Sequence, residues 1–110
     1  MAYDEHLADR VGDVLLARPG VAEREMFGGV AWMVGGNMAC GVMGDDLVVR
    51  LAPDEVEKAI EEEGAAPFGR EGIKPMKGFV VVDAESVAGD VGLAGWVDRG
   101  MAWAASLPAK

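Results

Sequence analysis

The chain has 110 residues, 51% of them hydrophobic, with 19 acidic against 10 basic side chains and a formal net charge of −9. That length supports one core and that hydrophobic content excludes intrinsic disorder. The negative charge repels phosphate backbones, which disfavours non-specific nucleic-acid binding, and no apolar run approaches the ~20 residues that span a bilayer. The opening "MAYDEHLADR" is charged throughout and lacks the apolar core of a signal peptide. Cys40 is the single cysteine, so no internal disulfide can form. A cytoplasmic protein is expected.

Residues 4–18 read as a helix. Asp4 can cap its first turn, and Leu7, Val11, Val14 and Leu15 share one face, with Glu5, Asp9, Arg10 and Asp13 on the wet side. Pro19 and Gly20 end it. The period then changes. "VAEREM", "VAWMV", "MACGVM" and "LVVRL" are short runs of strand-forming residues, joined by "GGN" at 35–37 and "GDD" at 44–46, both suited to hairpin turns. They predict a four-stranded antiparallel meander.

"PDEVEKAIEEEG" follows as a second helix, with Pro53 in its first turn, Gly64 closing it, and Val56, Ala59 and Ile60 as a narrow apolar stripe. Its glutamates read as a solvated face or as a docking face for a basic partner. A loop with two prolines leads to "FVVVD", a fifth strand. The last helix starts near Asp90 and buries Leu93, Trp96, Val97, Met101 and Ala104. Gly92, Gly95 and Gly100 each cost such a helix ~1 kcal/mol against alanine, and they would let it lie close on the sheet. The expected fold is a single α+β domain over residues 1–110. It has two layers, with three helices on a five-stranded, mainly antiparallel sheet in the order αββββαβα.

Reactive side chains are few: His6, Cys40, Tyr3, Ser86 and Ser106, with no pair at metal-ligand spacing and neither GxGxxG nor GxxxxGK. A nucleophilic triad would have to recruit His6 from a charged helix. The expectation is therefore no catalytic residue, no cofactor and no metal.

"REMFGG" at 24–29 reads as a corner, with Met26 and Phe27 turned to the core and Gly28 and Gly29 making a tight reversal with at least one of them at positive φ. It heads a series of markers: "GNM" at 36–38, "DDLVVR" at 45–50, "PMKGFVVV" at 75–82 and the closing "LAGWVDRGMAWA". Together these resemble the N-terminal domain of the TfoX/Sxy family, named for a bacterial regulator of natural competence. The resemblance implies a compact domain of helices packed on an antiparallel sheet, with a regulatory role. Longer members carry a second domain, and this chain is expected to hold the first alone. Where relatives often place aromatics, this sequence has Ala39, Cys40, Val48 and Val80. That weakens any stacking surface for single-stranded nucleic acid.

Two functions follow. The first is a non-catalytic regulatory or protein-interaction domain, engaging a partner protein or its own copy. Its strands do not alternate, so a second apolar face is expected unless the helices divide between both faces. One register turns Val30, Trp32 and Val34 outward, the other Ala31 and Met33; Trp32 is the expected anchor. The second function is binding of an anion or nucleotide, or an enzyme acting on one. It would use the basic stretch Arg70, Lys74 and Lys77, joined across the sheet by Arg24 and Arg50. DNA binding ranks last, because no helix is basic enough to enter a major groove.

Overall fold

The computed structural model describes residues 3–15, 18, 20–26, 29–62, 64–67 and 78–108. Helix α1 (Glu5–Leu15) begins as expected at Asp4, whose Oδ1 accepts hydrogen bonds from the amides of His6 and Leu7 at 3.0 and 3.1 Å. Leu7, Val11 and Leu15 are its buried face. Strands β1 (Val21–Met26), β2 (Gly29–Val34), β3 (Asn37–Met43) and β4 (Asp46–Arg50) form the meander. The β2–β3 turn takes φ of 58° at Gly35 and 84° at Gly36, the two successive left-handed residues that a tight hairpin requires.

Helix α2 (Pro53–Ala59) is shorter than its sequence pattern suggested, closing at Ile60. After it comes an unanticipated strand, β5 (Ala65–Pro67), whose three residues are too few to show alternation. It pairs with β6 (Phe79–Val82), and α3 (Asp90–Ser106) completes the chain. The sheet therefore has six strands where five were expected, in the order β1-β2-β3-β4-β6-β5, every pairing antiparallel.

Register assigns the faces. Val30, Val42, Leu47 and Val82 stand in one row, Trp32, Cys40, Val49 and Val80 in the next, and all join the core cluster with Leu7, Val11, Leu93, Val97 and Ala59 of the helices. The helices thus gather on one face. Val30 and Trp32, expected outward, are 4% and 3% exposed beneath them, and Val34 is half-buried on the same face. This corrects the expected anchor: a tryptophan opposite Cys40 in the middle of the sheet is worth more as core than as surface. On the other face Ala31 and Val48 are also buried, outside that cluster, with Met33, Met38, Met43, Phe79 and Val81 half-buried around them. Among the described residues the exposed large hydrophobic is Val91, while the face away from the helices carries Ala31 and Met33, the other of the two expected registers.

The seating of α3 depends on Gly100. A Cβ there would lie 2.3 Å from the Ala39 carbonyl oxygen, and that oxygen belongs to the backbone at an irregularity where β3 fits one more residue than β2. Gly92 is similarly crowded, 2.9 Å from the Ser86 oxygen, whereas Gly95 faces open space. The expectation that glycines let this helix lie close on the sheet is met at Gly100; Gly92 meets a loop instead, and Gly95 meets nothing. At the "FGG" corner, Phe27 and Gly28 and the side chain of Met26 lie outside the described residues. Gly29 is not among the glycines at positive φ; its Cβ would instead meet the Val42 oxygen at 2.3 Å. Close approach of two strands, not turn strain, is what excludes a side chain there.

Opposite responses within one helix test this seating. Gly95→Ala should raise stability by about 0.5–1 kcal/mol through helix propensity. Gly100→Ala should lower it by about 1–3 kcal/mol, because backbone must move. Denaturant midpoints moving the same way for both would contradict the packing described.

Candidate functional site: a groove beside the edge strand

Helical spacing sets Ala8, Gly12 and Leu15 of α1 along one line and Glu5, Asp9 and Asp13 along the next. Across from them β1 turns Val21, Glu23 and Glu25 to the same side of the sheet, in register with Val34, Trp32 and Val30. Between the two elements runs an open groove of about 630 Å³ lined by Ala8, Gly12, Leu15, Val21 and Trp32, with Asp9, Asp13, Glu23 and Arg18 along it. It continues into a second hollow of about 350 Å³ bounded by Tyr3, Glu5, Ala8, Asp9, Glu23 and Val30. The floor is apolar and the walls are acidic.

The charge along this groove is poorly compensated. Arg10 reaches Asp90 at 3.3 Å and Arg18 pairs with Asp98, so the arginines nearest the groove are committed to α3. Desolvation raises the Tyr3 phenol above its ordinary value, and the neighbouring Glu25, Glu5, Glu23 and Asp9 push it the same way. Elsewhere a complete pair forms: Arg99 makes two hydrogen bonds to Glu62, at 2.7 and 3.2 Å, while stacking 4.4 Å over Trp96. Those bonds hold the Glu62 carboxyl below its usual value.

β1 is also an edge. Among the described residues nothing follows it in the strand order on its outer side, and Ala22, Glu23, Arg24 and Glu25 are all exposed. The opposite edge is the three-residue β5, which ends in a proline without an amide to donate.

A family model of the TfoX N-terminal domain matches residues 13–104, most of the chain. The chain belongs to that family. Neither the curated proteins nor the solved structures provide a match. In this TfoX N-terminal domain the matched span includes the whole β1–β4 meander and most of α3, along with Asp13, Arg18, Glu23 and Trp32 of the groove.

Of the residues expected at an anion site, two are described, and they are not neighbours. Arg24 and Arg50 share the face away from the helices, but β2 and β3 lie between their strands, putting about 14 Å of sheet across the gap. Arg50 lies 5.9 Å from the centroid of the Phe79 ring. Arg70, Lys74 and Lys77 lie outside the described residues. Trp32 does belong to the groove, as its floor and not as an outward anchor. Asp9, Gly12 and Glu23 were not foreseen as site residues. Their available signals were a glycine inside an amphipathic helix and a charged triplet in an otherwise apolar strand.

Cys40 is fully buried, and desolvation pushes its thiol up to about 12. It should resist a thiol-specific reagent at mildly alkaline pH until the protein is unfolded. Labelling of native protein at the rate of a free thiol would contradict the placement. Among the described residues no group of three or more His, Cys, Asp or Glu is arranged to hold a metal ion, and no helix is long and apolar enough to cross a membrane.

Proposed function

We propose that this TfoX N-terminal domain is a non-catalytic, cytoplasmic regulatory module that docks a partner protein in the groove between α1 and β1. The observation that carries the reading is Gly12. It lines the groove, and a Cβ built on it meets nothing within 4 Å. A glycine inside a helix costs ~1 kcal/mol against alanine. Among the described residues no neighbour requires it, whereas a groove kept open for another chain does.

The chemistry of the surroundings supports binding over turnover. Cys40 is held neutral in the core, and His6 is exposed on α1, where its amide meets the capping Asp4. A buried, unpaired thiol also suits a reducing compartment. The anion-binding alternative has less support, since the two described arginines it invoked lie on β1 and β4 with two strands between them.

Affinity capture from the source cells tests the reading with two baits. Gly12→Ala should stabilise the domain by about 0.5–1 kcal/mol and recover less of its partner than the wild-type bait does. Gly12→Leu should fill the groove, melt no lower than wild type, and recover at least about tenfold less of the same partner, a loss of ~1.4 kcal/mol. A partner recovered equally by Gly12→Leu, or none specific to the wild-type bait, would overturn the docking reading.

A further inference from the structure

We infer that the free edge of β1 accepts an extended, basic segment of the partner as an added strand, with two cationic side chains at alternate positions. The inference rests on the groove reading and goes further, naming how the partner binds and what it must carry.

Three features on β1 converge. Its backbone is the long, exposed edge of the sheet, and an edge strand presents the unpaired amides and carbonyls that strand addition uses. Its side chains alternate in charge, Glu23 and Glu25 toward the helix side and Arg24 toward the other. Its helix side opens onto the groove, where Asp9 and Asp13 add to the same field. A strand laid along β1 places residues i and i+2 on one face, so two cations in those positions meet Glu23 and Glu25. The residue between them faces Arg24 and is best acidic. A side chain beyond the cations can reach the apolar floor at Val21 and Trp32.

The same charges select against a second copy of the chain. Residues directly opposite in an antiparallel pair share a face, so self-pairing at this edge sets Glu23 against Glu25 and Arg24 against Arg24. Shifting the register by two residues sets Glu23 or Glu25 against its own mate. Like charges directly opposite are destabilising, so each well-overlapped register is penalised. A basic-acidic-basic strand removes that repulsion and gains opposite charges in one step. The edge is thus specific for a different chain.

Two capped synthetic peptides form the test: Thr-Val-Lys-Glu-Lys-Val-Thr and its charge-swapped twin Thr-Val-Glu-Lys-Glu-Val-Thr. Each is titrated into the isotope-labelled full chain and followed by amide chemical shifts. The Lys-Glu-Lys peptide should bind at least about tenfold more tightly than its twin at low salt and shift the amides of residues 21–26. The double variant Glu23→Lys with Glu25→Lys, both exposed positions, should melt as wild type does and reverse the preference. Equal affinity for both peptides, binding of neither, or shifts confined to other strands would overturn strand addition. If groove-dependent capture of the partner survives in that case, the charges on β1 serve only to keep the edge from aggregating, and the docking reading stands without this mode. If capture never depended on Gly12, the docking reading itself has failed.

Discussion

One contact between backbones organises this domain: α3 rests directly on β3, with Gly100 against the Ala39 carbonyl. No side chain separates the two elements at that point. The approach brings Trp96, Val97, Met101 and Ala104 down among Ala39, Cys40 and Val49, where they are buried together. At the end of the helix, the buried Asn37 donates from Nδ2 to the Pro108 carbonyl at 3.0 Å, which ties the exit of α3 to the β2–β3 hairpin. With α3 seated there, α1 lies beside it, joined by the Arg10–Asp90 pair and, just past its end, by Arg18–Asp98. Those pairs are partly exposed and each is worth at most about 1 kcal/mol, so they orient α1 more than they hold it.

The functional geometry follows from that seating. α3 occupies the centre of the sheet, over β3 and β4, and α1 fits between it and the β1 side. The face of β1 is left only partly covered, and Trp32 lies beneath the gap. An open groove and an open sheet edge therefore occur together, for a single reason: the helices run out before the strands do. The acidic residues occupy this uncovered margin, where water can solvate them in the free protein and a cationic chain can replace that water on binding.

Much of the fold was legible in the sequence because it rests on local chemistry. The Asp4 cap, the two left-handed glycines at 35 and 36, and the five apolar residues expected in α3 are each fixed by their own neighbours in the chain. Strand β5 was not legible, since three residues carry no period and pairing with β6 is its only reason to be extended. The facing of β2 was equally hidden. "VAWMV" is apolar at every position, so both registers satisfy its pattern, and pairing with β3 decides that Trp32 turns inward. The groove was the least legible part, because it is made by two segments whose acids each look like ordinary solvated residues. Only the tertiary arrangement sets Asp9 and Asp13 across from Glu23.

Among the described residues the β1 side of this sheet is an open edge. Amide hydrogen exchange on the isolated full chain measures this directly, residue by residue. A strand paired on one side only protects every second amide. Exchange should be slow throughout β3 and β4, with an alternation of slow and fast amides along residues 22–25 of β1. Uniform protection across those residues would show instead that the edge is already occupied.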